Sequence, residues 1–445
     1  MVKRDGLVDK LIVTADGSGQ VGHAGSALLV GAADRLGLTR ALSAAMASTR
    51  QRASAHDPGV VLRDLVVMLA GGGDCLADLG ALRDQKDLFG GVASDSTAFR
   101  VIDSIDAACL ERLRGAVAIA RARAWELGAR PTQTVLDVDA TLTTAYSDKE
   151  HAKGNFKGGY GHHPLLCYLD GSGEALAGVL RPGNAGSNTA ADHTTVLELA
   201  LEQLDPIALE GEILVRADGA GATHALTVYC REAGMRFSFG FDLTEPVRDA
   251  IVKLPQSAWR RAIRADGSER EHSWVCEITD HVELSAWPER SRLIARRTKL
   301  REGDQQSFAD HDGYRLAVFL TDQPGEDVPQ LDLDHRGHAR IEDRIRHGKD
   351  CGLASLPFRS FAHNQLWLWL VQLAQDLIAW TKQLTLADDA RRWELKRLRY
   401  RLLHQSGRIA RHARRTTLRL ARDWPWSGEL AAAFARLQAL PVALD

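Results

Sequence analysis

Three carboxylates at the ends of predicted regular elements give this chain its clearest chemical potential. Asp139 ends one strand-like run and Asp218 ends a second, whereas Glu342 lies in an arginine-rich, helix-like segment at residues 335–346. Carboxylate oxygens are the hard ligands that Mg²⁺ prefers. A pair of divalent ions held by such groups promotes in-line attack on a phosphodiester. The residue types therefore suggest a two-metal phosphodiester-cleaving site.

The order of the predicted elements around these acids is more specific than the acids themselves. The chain has 58 acidic residues, so a single aspartate or glutamate is most often a solvated surface group. From residue 134 the pattern is strand, strand, strand, helix, strand, helix, strand. Asp139 ends the first strand, Asp218 follows the strand after the first helix, and Glu342 lies on the next strong helix. This order predicts an α/β protein with a ribonuclease-H-like mixed sheet core.

The boundaries of these elements come from hydrophobic periodicity and turn residues. Strand-like runs cover residues 134–141, 142–147, 163–169, 175–181, 213–217 and 235–241, and helix-like runs cover 194–204 and 222–233. Asp137 and Asp139 are two residues apart on the first strand, so both side chains point to the same face. We assign the metal-ligand role to Asp139 because it is nearer the strand end, with Asp137 as the alternative.

Five segments are predicted from changes in texture along the chain. They are residues 1–125, a helical N-terminal DNA-binding or dimerisation domain; 126–242, the first part of the core; 243–332, a β-rich insertion subdomain; 333–385, the second part of the core with the glutamate; and 386–445, a basic helical C-terminal region. Within the insertion, Trp259, Trp274 and Trp287 are interpreted as core residues. The alternative is that one of them stacks on an unpaired base.

The C-terminal region has the strongest local imbalance of charge. Residues 391–422 contain twelve lysines or arginines and one acid, Glu394. Interleaved leucines predict a pair of amphipathic helices. A solvated helix face is one interpretation, but the imbalance favours contact with a phosphate backbone. Arg411, Arg414 and Arg415 are the candidate contacts.

Composition limits the class of protein. The chain has 445 residues, 45% of them apolar and 26% charged, and a net charge of −2. These values are typical of a globular protein with several domains. Its six cysteines form no C-x-x-C pair, which favours reduced thiols over a zinc finger. No signal-peptide-like segment and no run of roughly 20 apolar residues is found. We therefore expect a cytoplasmic protein with no membrane partner.

Several motifs together resemble a known family, over about residues 60 to 430. The sequence contains Leu136-Asp-Val-Asp-Ala-Thr141, Lys157-Gly-Gly-Tyr-Gly-His-His-Pro-Leu-Leu166, Pro182-Gly-Asn-Ala-Gly-Ser-Asn188, Arg216-Ala-Asp-Gly219 and His338-Ala-Arg-Ile-Glu-Asp-Arg-Ile-Arg346. In these motifs the chain resembles the DDE transposases of bacterial insertion sequences. It is most similar to the branch with a β-rich insertion before the glutamate, the thirteen-eighty insertion-sequence group.

The resemblance implies a function and a set of site residues. Asp139, Asp218 and Glu342 would form the catalytic triad and hold Mg²⁺, or Mn²⁺ in its place, with Asp139 bridging two ions. The protein would act in the bacterial cytoplasm, associated with the nucleoid. Its partners would be double-stranded DNA, as terminal inverted repeats and target, and a second copy of the chain in a homodimer. The activity would be cut-and-paste DNA transposition by hydrolysis and strand transfer. Predicted DNA contacts are Lys349, Arg340, Arg344, Arg346, His338, Arg411, Arg414 and Arg415.

The residues around the glutamate depart from the family pattern. Many relatives have a tyrosine seven residues before the glutamate, an arginine four before it and a lysine seven after it. Here these positions hold His335, His338 and Lys349, so only the lysine matches. Arg336 and Arg340 lie one or two places away and are candidates for the missing phosphate contacts.

Two other functions remain open at this point. One is a catalytically silent or repurposed DNA-binding protein of the same descent, although all three acids are present. The other is a host nuclease or metal-dependent hydrolase that uses His162 and His163. Adjacent residues on a strand point to opposite faces, which makes these two histidines a poor ligand pair.

Overall fold

The computed structural model describes residues 11–50, 56–305, 307 and 309–443. The helices are α1 Ser26–Arg35, α2 Leu38–Ala45, α3 Pro58–Gly71, α4 Gly80–Arg83, α5 Lys86–Phe89, α6 Asp95–Asp103, α7 Ala107–Ala124, α8 Ala190–Leu201, α9 Pro206–Glu210, α10 His224–Glu232, α11 Glu245–Val252, α12 Val328–Arg336, α13 Arg340–Gly348, α14 Phe361–Thr385, α15 Leu395–Leu398 and α16 Ser427–Ala439. The strands are β1 Gln20–Val21, β2 Thr134–Ala140, β3 Thr143–Thr144, β4 Lys153–Gly154, β5 Tyr160–His162, β6 Leu165–Leu169, β7 Glu174–Val179, β8 Ile213–Ala217, β9 Arg236–Phe241, β10 Arg260–Ile263, β11 Glu269–Glu277, β12 Arg292–Lys299, β13 Asp310–His311, β14 Tyr314–Thr321, β15 Gly407–His412 and β16 Arg415–Leu420.

A large mixed sheet forms the centre of the molecule, as the sequence predicts. Its strand order is β10-β11-β12-β14-β9-β8-β2-β6-β7, and β13 pairs with β14 outside this path. Strand β2 is antiparallel to β6 and parallel to β8, which is in turn parallel to β9. Val135, Leu136 and Val138 of β2 are all buried. Successive residues point to opposite faces, so burial of both Val135 and Leu136 is typical of a strand covered on both faces.

The inserted strands extend the core sheet, and the expectation of a separate β-rich subdomain at residues 243–332 needs correction in this respect. Strand β14 pairs antiparallel with β9, so β10 to β14 continue the same sheet. The physical reason is that β9 would otherwise leave an open row of peptide groups at the sheet edge. Helix α12 packs on these strands, where Val328 and Leu331 join a small apolar cluster with Phe319.

The predicted strand at residues 142–147 is wrong for most of its length. Only Thr143–Thr144 forms a strand, and it pairs with β5 in a small sheet of order β3-β5-β4. The second and third strands of the large sheet are β6 and β7. The chain leaves the large sheet after Ala140, which sets this small sheet beside the end of β2.

The N-terminal helices share their core with the rest of the chain. Asp57 caps α3, accepting hydrogen bonds from Gly59 N at 2.9 Å and Val60 N at 3.2 Å, as the Asp57-Pro58 pair predicts. Helix α14 packs against α3 and α1 on one side and against β7 on the other. Its tryptophans Trp367 and Trp380 are fully buried. A single helix therefore joins the N-terminal helices to the sheet.

A buried polar network reinforces this junction. Arg121 of α7 donates to Glu174 Oε1 of β7 at 3.1 Å and to Asp376 Oδ2 of α14 at 2.5 Å. Glu174 also accepts from the indoles of Trp125 at 3.1 Å and Trp380 at 2.6 Å. All these side chains are buried. Two carboxylates thus share one guanidinium inside the protein, and burial raises the pKa of Asp376 to about 7, with a further contribution from the charge of Glu174.

The helical prediction for the basic C-terminal region is wrong between residues 407 and 420. This stretch is a hairpin of β15 and β16, and β1 near the N-terminus pairs with β15. Thr416 and Thr417 are β-branched and favour a strand. Ala413, in the turn, has a positive φ of 52°. The interleaved leucines and arginines follow a strand period here, and the pairing partner lies almost 400 residues away in sequence.

No single helix in the described ranges is long and apolar enough to cross a membrane, although the bent pair Pro58–Gly71 and Leu76–Arg83 passes that test by length and composition.

We expect Arg121→Ala to lower the free energy of unfolding by about 3–5 kcal/mol, because it leaves buried carboxylates without their cation. Urea denaturation followed by far-ultraviolet circular dichroism measures this change. The control is Arg123→Ala on the same helix, whose ion pair with Glu126 is largely solvent-exposed. It should change stability by about 0.5 kcal/mol or less. Equal effects of the two changes would contradict the role given to the network.

Asp376 should also make stability depend on pH. An unfolded aspartate titrates near pH ~3.9, whereas Asp376 in the folded protein titrates near 7. Between these values the folded state holds a proton that the unfolded state lacks, so the free energy of unfolding falls as pH rises. The slope approaches about 1.4 kcal/mol per pH unit. Asp376→Asn should remove it, and parallel pH profiles of wild type and variant in urea would refute the assignment.

Candidate functional site

The first two acids of the predicted triad lie side by side at the carboxyl ends of the central strands β2 and β8. The parallel register of β2 and β8 pairs Val138 with Ala217, so Asp139 and Asp218 follow at the same level. Asp139 Oδ1 accepts from Ala140 N at 2.7 Å, and Asp218 Oδ1 accepts from Ala220 N at 2.9 Å. Each carboxylate is thereby held by its own local turn. Asp139 is half-buried and Asp218 is exposed.

The third acid reaches the same region from helix α13. Burial raises the pKa of Asp139 to about 6, and the negative charge of Asp218 is the second cause. Glu342 adds to this effect, whereas His338 and the Ala140 N–H oppose it. Asp139, Asp218 and Glu342 therefore share one electrostatic environment, although they come from distant parts of the sequence. Excess negative charge in such a cluster favours a bound cation.

An arginine cluster holds α13 against the sheet. Arg216 of β8 donates to both oxygens of Asp137 at 2.8 Å and to Asp170 Oδ2 at 2.7 Å. His338 Nδ1 lies 3.0 Å from Asp137 Oδ1. Arg340 donates to Asp170 Oδ1 at 2.7 Å. We call Asp137, Asp170, Arg216, His338 and Arg340 the Arg216 cluster. It connects two sheet strands to the residues that immediately precede Glu342.

The turn before α13 is shaped to this cluster. Arg216 donates to the carbonyl of Asp334 at 2.5 Å, near the end of α12. A Cβ atom at Gly337 would lie 2.2 Å from Arg216 Nη1. The guanidinium therefore passes directly over the glycine, and a side chain at position 337 would displace it.

The predicted contact residues around the glutamate have distinct surroundings. His338 faces Asp137 in the Arg216 cluster, and Arg340 pairs with Asp170 while remaining half-exposed. Arg344 is folded over Gly173, where a Cβ would meet its guanidinium. Arg346 pairs with Asp343 at 2.8 Å. Of these four residues, His338 is the one that contacts an aspartate of β2, and it therefore supports the strand that carries Asp139.

His335, one of the two departures from the family pattern, packs against the sheet. Its ring stacks on Phe319 with centroids 4.3 Å apart, and Nδ1 lies 3.0 Å from Ser238 Oγ. Burial lowers its pKa to about 3. A neutral, stacked histidine is a packing residue between α12 and the sheet, and it offers no charge to a phosphate.

Lys349 continues the face that carries Glu342. Helix α13 ends at Gly348, but Lys349 keeps helical dihedral angles of −61° and −39°. Burial lowers the pKa of Lys349, and the charge of Lys157 lowers it further. Lys157 belongs to the turn between β4 and β5, so two lysines from different elements face the same region. The sequence predicts Lys349 as a contact, but it does not point to Lys157.

The remaining predicted contacts lie on the C-terminal hairpin. Arg411 is on β15, Arg415 opens β16 and Arg414 lies in the turn between them. All three are exposed. Arg411 forms an exposed ion pair with Asp87 at 2.7 Å. The hairpin therefore presents a basic edge to solvent, although its elements are strands.

The donors of the triad suit Mg²⁺ or Mn²⁺. They are carboxylate oxygens that pair with no lysine or arginine among the described residues, whereas Asp137 is fully engaged by Arg216 and His338. This difference supports Asp139 over Asp137 as the ligand. In the described part of the chain, the one set of three potential ligand atoms that lie within 4.8 Å of one another is at Asp74, Cys75 and Asp78, so the triad oxygens are spaced more widely than that. There the Asp78 carboxylate already accepts from the backbone N–H groups of Asp74 and Cys75, as a helix cap does.

The alternative site at His162 and His163 is not supported by the contacts. Nε2 of His162 lies 3.0 Å from the Glu150 carbonyl, and Nδ1 of His163 lies 3.2 Å from the Ala185 carbonyl. Both residues are buried. The two rings serve different backbone segments and do not converge on one ligand position.

Arg216 and Asp170 support the segment before Glu342, and sequence reasoning assigned neither of them a role. A signal for Arg216 exists, because Arg216 and Asp218 repeat the two-residue spacing of Asp137 and Asp139. On adjacent parallel strands, this spacing pairs arginine with the inner aspartate and brings the outer aspartates together. Asp170, by contrast, stands at an ordinary Asp-Gly turn, and its role depends on tertiary contacts.

The two aspartates of β2 should therefore respond differently to truncation. Asp137→Ala leaves Arg216 buried without its main partner, and we expect a loss of about 3–5 kcal/mol in the free energy of unfolding. Asp139→Ala removes a carboxylate whose ionisation is harder in the folded protein than in water, because burial and then the charge of Asp218 raise its pKa to about 6. That change should cost about 1 kcal/mol or less. Urea denaturation at neutral pH compares the two variants, and a larger loss for Asp139→Ala would contradict the division of roles.

Comparisons with known proteins identify the family. No curated protein matches the sequence. Among solved structures, the fold is similar to that of the piggyBac transposase in a synaptic complex with hairpin DNA, with 11% sequence identity and a TM-score of 0.41. That similarity covers 85% of this chain and 80% of the other. The family model described as transposase DDE domain group 1 matches residues 5–442. The chain therefore belongs to the DDE-domain transposases of group 1.

Proposed function

We propose that this protein is the DNA transposase of a bacterial insertion sequence of the thirteen-eighty group, and that it cuts and joins DNA at terminal inverted repeats. The observation that carries the proposal is the convergence of Asp139, Asp218 and Glu342 at the carboxyl ends of β2 and β8. The family supplies the class of reaction, and the three acids supply the chemistry that the reaction needs. Their retention argues against a catalytically silent descendant.

The strand order supports a ribonuclease-H-like core. Counted from β2, the first five strands of the large sheet have the spatial order third, second, first, fourth, fifth, with the second strand antiparallel to its neighbours. Acids at the carboxyl ends of the first and fourth strands then come together, because these strands are parallel neighbours. A helix from beyond the insertion brings the third acid to the same strand ends.

Asp139, Asp218 and Glu342 would hold two Mg²⁺ ions, or Mn²⁺ in their place. Bound there, the ions supply an acidic water and neutralise charge on the oxygens of the phosphodiester. Lys349 and Lys157 would bind the phosphate next to the bond that breaks. His338 and Arg216 would hold Asp137 and the start of α13 in place, so that Glu342 faces the aspartates.

The reaction would have two steps at this site. Hydrolysis of one phosphodiester at the element end breaks the P–O3′ bond and frees a 3′ hydroxyl. That hydroxyl then attacks a phosphorus of target DNA, forming one P–O3′ bond as another breaks. No external energy source is needed, because each step exchanges one bond for another.

Other parts of the chain would position the DNA. Arg340, Arg344 and Arg346, and the hairpin residues Arg411, Arg414 and Arg415, are proposed backbone contacts, which make affinity fall with salt. The helical segment at residues 1–125 is proposed to bind the repeat or to join two copies. A homodimer that pairs both element ends would coordinate their cleavage.

The test is cleavage of labelled DNA that carries the element end, in Mg²⁺ or Mn²⁺. Asp139→Asn, Asp218→Asn and Glu342→Gln should each slow cutting on the order of 10³-fold or more, since loss of a metal ligand costs several kcal/mol of transition-state stabilisation. DNA binding in an electrophoretic mobility assay should persist.

Asp343→Asn provides the matched control. Asp343 neighbours Glu342 on the same helix but pairs with Arg346 at the surface, so the variant should cut at close to the wild-type rate. If the wild type binds the element end but does not cut it, the silent descendant becomes the better assignment. Cutting by the Asp139 variant together with failure of an Asp137→Asn variant would move the ligand role to Asp137.

A further inference from the structure

We propose that the turn between β4 and β5 is a stacking platform for an unpaired DNA base beside the cleavage site, with Phe156 as the stacking ring. The inference rests on the proposed function and adds a specific DNA feature to it. The turn, residues 153–160, reads Lys-Gly-Asn-Phe-Lys-Gly-Gly-Tyr and contains no acid. We call it the Phe156 turn.

The Phe156 turn is held in one conformation by its own hydrogen bonds. Asn155 Oδ1 accepts from Lys157 N at 3.0 Å and from Gly159 N at 3.1 Å. Asn155 N donates to the Gly159 carbonyl at 2.8 Å, and Gly158 has a φ of +77°. The side chains at the tip are thus presented from a fixed backbone, which lowers the entropy lost on binding.

The aromatic ring of Phe156, at the tip of the turn, is exposed to solvent and contributes little to the core. Phe156 is 73% exposed and Tyr160 is also exposed, and Tyr146, at 86%, lies nearby in sequence just after β3. Lys157 Nζ lies 5.6 Å from the centroid of the Phe156 ring, and the His163 ring lies 5.9 Å from it. An exposed aromatic ring flanked by a cation is the combination that binds an unpaired nucleotide, by base stacking and phosphate contact.

The position of the turn connects it to the metal site. Strand β3 begins at Thr143, four residues after Asp139, and the Thr143 hydroxyl donates to the Leu353 carbonyl at 3.2 Å. Leu353 lies just beyond Lys349, whose pKa is lowered first by burial and then by the charge of Lys157. A DNA strand bound by Lys349 and Lys157 would therefore run from the carboxylates towards Phe156.

The tryptophans of the inserted strands do not offer such a surface. Arg297 covers Trp259 at 4.2 Å and Trp274 at 5.5 Å, and the His224 ring lies 4.1 Å from Trp287. Trp259 is buried. Their rings are occupied by protein partners, whereas the outer face of Phe156 is open to solvent. Base stacking is therefore assigned to the Phe156 turn and not to the tryptophans of the insertion.

The test measures binding to two short labelled DNA duplexes by fluorescence anisotropy. Both duplexes carry the element end; one is blunt and the other has a single-stranded 3′ extension. Wild type should bind the extended duplex about tenfold more tightly, the value typical of one stacked base. Phe156→Ala should abolish this preference and keep the affinity for the blunt duplex. Phe156→Tyr should retain the preference, because it keeps the ring, and Phe156→Leu should lose most of it.

Two controls separate stacking from charge and from a general surface effect. Ile207→Ala removes a side chain that is 67% exposed on α9, away from the proposed DNA contacts, and should leave both affinities unchanged. Lys157→Ala should weaken both duplexes and reduce the salt dependence of binding. A preference that survives in Phe156→Ala overturns the inference. So does a wild type that binds both duplexes equally, and in both cases the proposed function stands. A wild type that binds neither duplex overturns the proposed function as well.

Discussion

One buried guanidinium, that of Arg216, sets the geometry on which the site depends. It binds Asp137 on the neighbouring strand, Asp170 at the end of β6 and the carbonyl of Asp334. A charge taken out of water is tolerated only when several partners satisfy it at once. The strand, the turn and the end of α12 can therefore adopt few relative positions. The helix that follows inherits that restriction, and with it the location of Glu342.

The same strand separates support from chemistry. Asp137 and Asp139 are alike in type and face, yet one is neutralised by a cation and the other is surrounded by like charge. The first contributes to stability, and the second is held in an unfavourable state that a cation would relieve. Functional groups are often found in such unfavourable surroundings, which the rest of the structure compensates. Here the compensation lies two residues away.

Elements with local sequence signals could be predicted from the sequence, whereas elements that depend on contacts between distant residues could not. The cap at Asp57, the strands β2 and β8 and the long helix α14 were predictable, because their signals are local: a capping residue, a buried apolar run, a helical period. The hairpin at residues 407–420 was not, since this arginine-rich stretch has too few apolar residues to fix a period until β1 pairs with it. The joining of the inserted strands to β9 is likewise a tertiary event. Lys157 approaches Lys349 only through the fold, and no spacing in the sequence reveals it.

The continuity of the ten-stranded sheet has a consequence for the order in which the protein can assemble. Asp218 and Glu342 are about 120 residues apart, and the strands that extend the sheet lie between them. Contacts of such long range form late, because the entropy of closing the intervening loop must be overcome first. During synthesis, the two aspartates can be in place on β2 and β8 well before the ribosome reaches the glutamate. An unfinished chain thus carries two-thirds of the carboxylates and lacks the helix that completes them. The site formed by the three carboxylates is then one of the last features to become whole in a newly made molecule.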